Sequence, residues 1–316
     1  MERCLPSGDP PTSTRYRGSV QTLPPVWPVQ HCFSVDLEDY FQVNAFESIV
    51  DRSRWDTMPS RVEQSTGRLL ELLARHRVSG TFFALGWIAE RFPALIRAIV
   101  GAGHEIASHG YWHRRVTTLT PEEFRSDLRQ SKAVLEEVSG ASVRGFRAPS
   151  FSIVPGREWA FDILLEEGFS YDSSLFPIRR PGYGYPSAPA APFQLPRPGG
   201  DLLELPLATT RLAGFRIPAA GGGYLRQLPF ALIRRAFREW SVAGISAMFY
   251  VHPWEIDPEQ PRLPVGPLTR LRHYRGLART LPLLERLLTE FRFTSVSHRF
   301  DTTLRQGPAT AASERR

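Results

Sequence analysis

The chain has 316 residues and a formal net charge of +7, and 42% of its residues are hydrophobic. This length and composition allow a large buried core and exclude a disordered or fibrous protein. Arginine supplies nearly all of the positive charge, since Lys132 is the one lysine. The arginines are scattered among acidic residues, which argues against a nucleic-acid partner. The positive charge reflects either the amino-acid composition typical of the source genome or a role in attraction to an anionic polymer or membrane surface.

Both ends of the chain are expected to lie outside the folded part. Residues 1–30 carry repeated prolines and lack the apolar stretch of a secretory signal, which predicts a flexible segment. Residues 301–316 are polar and predict a disordered tail. The chain lacks an apolar run of about eighteen residues, so we expect no membrane span and a cytoplasmic location. Cys4 lies in the predicted flexible segment and Cys32 in a predicted buried strand, so a disulfide framework is not expected. The sequence leaves the oligomeric state open.

Between these ends, short apolar segments typical of strands alternate with amphipathic segments typical of helices. Strands are predicted at residues 31–36, 80–85, 104–108, 143–147, 202–207, 245–251 and 293–296. Helices are predicted at residues 60–77, 87–100, 120–138, 159–168, 230–243 and 276–291. The third helix has the clearest start, because Thr120 can cap it, Pro121 suits its first position and Glu123 completes a capping box.

This alternation indicates an α/β protein with a mostly parallel sheet. The polar residues of interest all follow predicted strands, and a β/α barrel gathers its active site at the carboxyl ends of its strands. About seven strands are predicted, so the barrel would be distorted or incomplete. A doubly wound open sheet is the alternative. Residues 177–222, rich in proline and glycine, are predicted to form an irregular excursion, with Gly221 to Gly223 in a tight loop.

Histidines and carboxylates suggest a metal site. His109 and His113 directly follow the strand predicted at 104–108, and Asp36, Glu38 and Asp39 close the strand predicted at 31–36. Residues two apart on a strand share a face, so Asp36 and Glu38 can converge on one site. Two imidazoles and one carboxylate would hold a divalent metal and leave one position open. Zinc, iron, nickel and cobalt all suit imidazole. Taken alone, the acidic cluster is more typical of a solvated turn than of a metal site.

Two further residues at strand ends could take part in chemistry. Arg147 could hold a carboxylate in its ionised form, or it could form a structural salt bridge. His252 could act as a general acid, or it could be a core histidine. The sequence carries no nucleophile elbow, P-loop or dinucleotide fingerprint. The remaining histidines are interpreted as structural: His31, His76, His104, His273 and His298.

Together these segments resemble the polysaccharide deacetylase family, the NodB-type carbohydrate esterases. The matching segments, in order, are residues 35–40, 108–113, 147–149, 171–174 and 251–253. The resemblance covers residues 31–300, as one catalytic domain, and implies a distorted, NodB-like (β/α)7 barrel with a divalent metal, most often zinc. The Asp-Leu-Glu-Asp-Tyr-Phe and His-Pro-Trp-Glu stretches resemble the subgroup found with exosortase-linked exopolysaccharide loci. The implied reaction removes acetyl groups from N-acetylated sugars of an exopolysaccharide or its precursor.

The resemblance also assigns roles to residues. Asp36 matches the catalytic base, and Arg147 matches the arginine that holds the base. His252 matches the general acid, while His109 and His113 match the metal ligands.

The chain departs from the family pattern at one place. The family has two adjacent aspartates, base then ligand, whereas Leu37 follows Asp36 here. The metal carboxylate is then Glu38 or Asp39, and strand geometry favours Glu38. Asp39 could instead orient a loop or a histidine.

Three aromatic residues are predicted to bind the substrate: Tyr40, Trp112 and Trp254. A long groove lined by them would favour a polysaccharide. A closed pocket would favour a small cyclic amide or ureide, hydrolysed on the same barrel. A carbohydrate-binding protein without catalysis is the remaining alternative.

Overall fold

The computed structural model describes residues 21–180 and 182–305. Its strands are His31–Leu37 (β1), Thr81–Ala84 (β2), Glu105–Ser108 (β3), Gly145–Phe146 (β4), Tyr171–Asp172 (β5), Phe193–Arg197 (β6), Gly200–Glu204 (β7), Thr209–Leu212 (β8), Phe215–Pro218 (β9), Met248–Val251 (β10) and Phe293–Thr294 (β11). Its α-helices are Val62–Arg75 (α1), Gly86–Arg91 (α2), Pro93–Gly101 (α3), Pro121–Ser139 (α4), Trp159–Glu166 (α5), Gly222–Gln227 (α6), Phe230–Val242 (α7), Pro267–Tyr274 (α8), Leu277–Glu290 (α9), Val296–Arg299 (α10) and Asp301–Arg305 (α11). Short 3-10 helices span Asn44–Phe46, Arg52–Thr57, Val116–Thr118, Pro149–Phe151 and Pro253–Ile256.

A parallel sheet forms the centre of the molecule. Its strand order is β10, β1, β2, β3, β4, β5, β7, with β6 added antiparallel to β7. Leu207, just beyond β7, forms a parallel bridge with Met248 of β10, so the two ends of the sheet meet. Strand β11 pairs with the first two residues of β1. The result is a distorted (β/α)7 barrel, which confirms the predicted fold class.

The barrel brings the predicted polar residues to one rim. All seven residues of β1 are buried, as expected for a parallel strand covered on both faces. His109 directly follows β3, Arg147 follows β4 and His252 follows β10. Because parallel strands point the same way, their carboxyl ends and these side chains meet at the same end of the barrel.

The predicted helix at residues 120–138 is confirmed, together with its capping box. The Thr120 hydroxyl accepts from the backbone N–H of Glu123, whose carboxylate accepts from the N–H of Thr120. The single helix predicted at residues 87–100 is wrong, because α2 ends before Phe92 and α3 begins at Pro93. Proline disfavours helical backbone in the residue before it and has no N–H to continue the helix.

The proline-rich excursion holds more regular structure than predicted. Strands β6 and β7 form one hairpin and β8 and β9 another, where the sequence predicted a single strand at residues 202–207. Pro196 is tolerated within β6 because β6 is an edge strand. The predicted tight loop at residues 221–223 is the start of α6, and Gly221 has a φ of 98° that favours glycine.

The predicted ends of the chain also need correction. Within the predicted flexible segment, Leu23 N donates to Pro192 O at 3.1 Å and Val26 N donates to Gly244 O at 3.0 Å. Within the predicted tail, α11 forms and the side chain of Leu304 is buried. Residues 1–20, with Cys4, and residues 306–316 lie outside the described residues. In the described part of the chain, none of the helices combines the length and the apolar character that a bilayer span requires.

Candidate active site

Asp36 and Arg147 form a buried ion pair at the barrel rim. The Nη1 atom of Arg147 lies 2.5 Å from Oδ1 of Asp36, and the two side chains are 0% and 3% exposed. Arg147 also donates to the Ser34 hydroxyl and, through Nε and Nη2, to the carbonyl and hydroxyl oxygens of Ser173. Its guanidinium stacks over Phe83, 4.0 Å from the ring centroid. These contacts fix Arg147, and through it they fix the carboxylate of Asp36.

Glu38, His109 and His113 form the group that could hold a metal ion. Their potential ligand atoms all lie within 4.8 Å of one another, and all three residues are buried. The Nε2 atom of His113 lies 2.7 Å from Oε2 of Glu38. The Nδ1 atom of His109 lies 2.7 Å from the carbonyl oxygen of Arg147, which can only accept. Nδ1 therefore carries the proton and Nε2 keeps its lone pair for a ligand.

The chemistry of these donors fits a divalent metal. The buried Oε2 atom of Glu38 lies against Nε2 of His113 and has no other hydrogen-bond partner among the described residues. Burial lowers the pKa of His109 to about 4, which keeps its imidazole neutral. Burial opposes ionisation of Glu38, but His113 and His252 lower the pKa of this carboxyl to about 2. Imidazole nitrogens together with a carboxylate oxygen are the donor set of catalytic zinc.

Asp39 lies outside this group. Its Oδ2 atom accepts from the backbone N–H groups of Arg61 and Val62 at 2.9 and 3.2 Å, and from the Ser60 hydroxyl. Its Oδ1 atom accepts from the N–H of Tyr40. Asp39 therefore caps the start of α1, and the prediction that it might be a metal ligand is wrong. A carboxylate at a helix N-terminus satisfies N–H groups that the helix leaves unpaired.

The imidazole of His252 lies close to the carboxylates of both Asp36 and Glu38. Its Nε2 atom lies 3.9 Å from Asp36 Oδ2 and 3.4 Å from Glu38 Oε1. Its Nδ1 atom lies 3.0 Å from Oε2 of Glu255. Burial lowers the pKa of His252, but the charges of Glu38 and Glu255 outweigh it and raise the pKa to about 9. The imidazole is therefore protonated near neutral pH and can donate from Nε2.

Sequence reasoning missed the pair that holds His252. Glu255 accepts from Nδ1 and from the backbone N–H of His252, and its other oxygen accepts from Nη1 of Arg226. Both Glu255 and Arg226 are buried. The signal was present in the sequence, because Glu255 follows His252 by three residues, at the third helical position of a capping box. Arg226, 26 positions upstream of His252, carried no such signal.

A pocket of about 340 Å³ is bordered by Asp36, Glu38, His109, His113 and His252. Trp254, one of the three predicted aromatic residues, lines it and donates through Nε1 to Glu38 Oε1 at 3.2 Å. Its ring stacks between His252 and His273, with centroids 5.0 and 4.2 Å away. His273 therefore contributes to the pocket wall, although the sequence suggested only a structural role.

The other two predicted aromatic residues do not line this pocket. Tyr40 is fully buried and its ring packs edge-on against Phe41, with centroids 5.3 Å apart. The ring of Trp112 lies against Trp55, and its carbonyl accepts from Nε of Arg52. Of the three residues predicted to bind the substrate, Trp254 alone lines this pocket, so the groove lined by all three that would have favoured a polysaccharide is not found there.

The backbone beside Arg147 is strained where it borders the pocket. Ser150 and Phe151 both have a φ of 53°, a left-handed conformation that is costly for residues with a side chain. Nδ2 of Asn44 donates to the Ser150 hydroxyl at 2.5 Å and ties this turn to the opposite wall. Such strain is concentrated at functional sites, because the surrounding structure must enforce it.

Asp172 supports the same turn from behind. Its Oδ1 atom accepts from the Ser174 hydroxyl at 2.7 Å, and that hydroxyl oxygen accepts from the backbone N–H of Ala148. Asp172 is fully buried and does not reach the pocket. These contacts give Asp172 a supporting role.

Comparison with known proteins agrees with this geometry. The family model for polysaccharide deacetylase matches residues 53–154. The match supports the polysaccharide deacetylase family for this chain. A second model, described as a domain of unknown function (DUF3473), matches residues 173–301. The metal group and Asp36 thus lie in or before the first matched region, whereas His252 and Glu255 lie in the second.

The relatives cover only part of the chain. A peptidoglycan deacetylase of Helicobacter pylori is 33% identical over 110 residues, which is 34% of this chain and 36% of that protein. A chitooligosaccharide deacetylase of Sinorhizobium fredii is 37% identical over 100 residues, which is 31% of this chain and 44% of that protein. The chain therefore matches less than half the length of either relative.

Solved structures share the fold over most of the chain. A provisionally named polysaccharide deacetylase from Mycobacterium smegmatis superposes with a TM-score of 0.61 at 23% identity, and the match covers 91% of this chain and 96% of that one. Puue allantoinase superposes with a TM-score of 0.58 at 18% identity, covering 94% and 99%. At these identities the similarity establishes the barrel fold alone.

Proposed function

We propose that the protein is a metal-dependent hydrolase that removes acetyl groups from N-acetylated sugars of an exopolysaccharide or its precursor. One observation carries the proposal: Asp36 Oδ2 and His252 Nε2 face each other at 3.9 Å beside the group of Glu38, His109 and His113. A proton acceptor, a proton donor and a potential metal site thus border one pocket. These are the parts that amide hydrolysis requires.

The residues divide the proton transfers between them. Asp36, held by Arg147 through Oδ1, accepts a proton from the attacking water at its other oxygen. His252 then donates the proton at Nε2 to the departing amine nitrogen, so that acetate and the free amine are released. Glu255 and Arg226 keep His252 in place for this transfer. A divalent metal held by Glu38, His109 and His113 would polarise the acetyl carbonyl and activate water.

The relatives that the chain matches support a sugar substrate. The matched relatives are named for peptidoglycan and chitooligosaccharide deacetylation. The exopolysaccharide setting rests on the Asp-Leu-Glu-Asp-Tyr-Phe and His-Pro-Trp-Glu stretches, and zinc rests on the donor set. The cytoplasmic location stays a prediction.

The test is acetate release from a panel of N-acetylated oligosaccharides, with metal-free protein and with added zinc or cobalt. We expect metal-dependent acetate from the wild type. The His109→Ala variant should lose metal binding and turnover together, whereas His76→Ala, which changes a histidine outside the pocket, should retain both. Metal binding without acetate from any sugar would overturn the proposal. Turnover of cyclic amides or ureides in the same assay would then identify the small-molecule hydrolase instead.

A further inference from the structure

A second cavity of about 510 Å³ adjoins the catalytic pocket. The two cavities share five wall residues: Tyr183, Tyr250, His252, Trp254 and Arg272. A substrate whose acetyl group lies at His252 would therefore extend its neighbouring unit into the second cavity. We call this cavity the arginine pocket, after Arg180, Arg226 and Arg272 in its wall.

The arginine pocket carries an excess of positive charge. Glu255 is its one acidic wall residue in the described chain, and it is already paired with Arg226 and His252. No described carboxylate lies within salt-bridge distance of Arg180 or Arg272, and both residues are exposed. Two guanidinium groups thus border the cavity without an anionic partner. Guanidinium groups bind carboxylates and phosphates through paired hydrogen bonds.

The backbone around Arg272 is held firmly. Gln227 Nε2 donates to the carbonyl oxygen of Arg272 at 3.0 Å. Buried Arg226 donates through Nη2 to His273 O and through Nε to Arg275 O, each at 3.1 Å. Helix α6 therefore anchors the last turn of α8, which carries Arg272. A fixed backbone reduces the entropy lost when the side chain engages a ligand.

Two tyrosines in the wall of the arginine pocket could contact a sugar ring. The hydroxyls of Tyr183 and Tyr224 are hydrogen-bonded at 3.0 Å, and both residues line the arginine pocket. Arg180 also interacts with the Tyr224 hydroxyl. Ring faces and hydroxyls that flank unpaired cations would suit a sugar that carries a negative charge.

We propose that the arginine pocket binds an anionic group on the sugar unit next to the one that is deacetylated. The group is a uronic acid carboxylate or a sugar phosphate, which present the same oxygen acceptors to Arg180 and Arg272. Its place next to the reacting unit rests on the proposed deacetylase function. The binding of an anionic saccharide does not, so the two can be tested separately.

Binding is measured by titration calorimetry with three trisaccharides that lack N-acetyl groups. One carries a uronate, one carries a phosphate monoester, and one is neutral. We expect one of the anionic ligands to bind the wild type roughly five-fold more tightly than the neutral one, with a preference that weakens in high salt. The uronate and phosphate ligands show which anion is preferred.

Two arginines of α8 provide a matched comparison. Arg272→Gln should lose the anionic preference, whereas Arg270→Gln should retain it, because Arg270 is also exposed but lines neither cavity. Arg180→Gln, in a different segment, should reduce the preference as well and serves if Arg272→Gln is unstable. Equal affinity for all three ligands in the wild type, or the same loss in Arg270→Gln and Arg272→Gln, would overturn the proposal.

A kinetic measurement then links the pocket to catalysis. With N-acetylated versions of the same ligands, the ratio of kcat/KM for the anionic over the neutral substrate should fall in Arg272→Gln and stay constant in Arg270→Gln. Absence of acetate from every substrate, with the anionic binding preference intact, would reject the deacetylase function and leave the arginine pocket standing. Acetate release without any anionic preference would do the reverse.

Discussion

The two oxygens of Asp36 have different partners: Oδ1 lies 2.5 Å from Nη1 of Arg147, while Oδ2 faces Nε2 of His252 at 3.9 Å. The first contact fixes the orientation of the carboxylate through a charge-assisted hydrogen bond. The second oxygen is left on the pocket side. This division suits a carboxylate that is held by one oxygen and keeps the other available to accept a proton.

Replacing Asp36 with Asn removes that proton acceptor and should lower kcat by roughly 10²- to 10⁴-fold. Metal content should be unchanged, because Asp36 is not in the group of Glu38, His109 and His113. Acetate release and metal analysis of the same sample test both parts. Asp56→Asn, which removes an exposed carboxylate, should leave both values at the wild-type level. Near-full activity in Asp36→Asn would show that another group is the base.

Glu38 and Asp39 should separate metal binding from stability. Glu38→Gln removes a carboxylate from the metal group and should weaken metal affinity at least ten-fold. It should change the free energy of unfolding little. Asp39→Asn replaces one of the two acceptor oxygens that hold the start of α1 with an NH₂ group, which leaves a buried donor unpaired, and should lower the free energy of unfolding by roughly 1–2 kcal/mol with metal affinity retained. Metal titration and urea unfolding of both variants measure the two effects. If Asp39→Asn lost the metal and Glu38→Gln kept it, the ligand assignment would be reversed.

Two adjacent glycines provide a test of the support beneath His252. A Cβ atom at Gly222 would overlap the Glu255 carboxylate, lying 2.7 Å from its Cδ atom, whereas one at Gly223 would stay 3.6 Å from Oε1. Buried Glu255 cannot move without leaving Arg226 or His252. We expect Gly222→Ala to lower both kcat and the melting temperature.

Gly223→Ala is the matched control, since its methyl group makes only ordinary contact. It should change neither quantity appreciably. The comparison is made from steady-state acetate release and thermal unfolding of the two variants. Equal activity in both variants would show that the position of Glu255 is unimportant to turnover.

His31 should contribute to a loss of stability in acid. Its Nδ1 accepts from Ala247 N at 3.1 Å and its Nε2 lies 3.0 Å from the Ser241 hydroxyl, an arrangement that needs a neutral ring. Burial, and then the charge of Arg299, lower the pKa of His31 from 6.5 to about 4. The unfolded chain therefore binds the proton more readily than the folded chain between these two values.

Since the folded pKa is depressed, the stabilisation is complete above pH 6.5 and is lost as the pH falls through 4. The shift corresponds to about 3 kcal/mol. The melting temperature of metal-free protein should thus fall from pH 7 to 4, and less steeply in His31→Gln. His298→Gln, which replaces an exposed histidine, should keep the wild-type slope. An unchanged slope in His31→Gln would rule out this contribution.

The sequence predicted the features that depend on local pattern. The capping box at Thr120 and the polar residues after β1, β3 and β10 were visible because each depends on a few neighbouring residues. The two hairpins between residues 193 and 218 were missed because prolines and glycines hide the alternation of an edge strand.

Contacts between distant parts of the chain could not be predicted. Asp39 and Glu38 both carry a carboxyl group, and only the position of α1 decides that Asp39 caps a helix while Glu38 joins the histidines. Tyr40 is buried for a similar reason, since its position in the fold packs its ring against Phe41 and not along the pocket. Likewise, the pairing of Arg226 with Glu255 depends on how α6 packs beside β10.

The closure of the barrel between Leu207 and Met248 bears on how the chain is divided into evolutionary units. Both residues lie inside the stretch matched as a domain of unknown function, and so do His252 and Glu255. Asp36 and the three-residue metal group lie outside it. That stretch is therefore part of the barrel and not a separate appendage, and it carries His252, the residue proposed here as the acid. Neither half, expressed alone, would inherit a complete site.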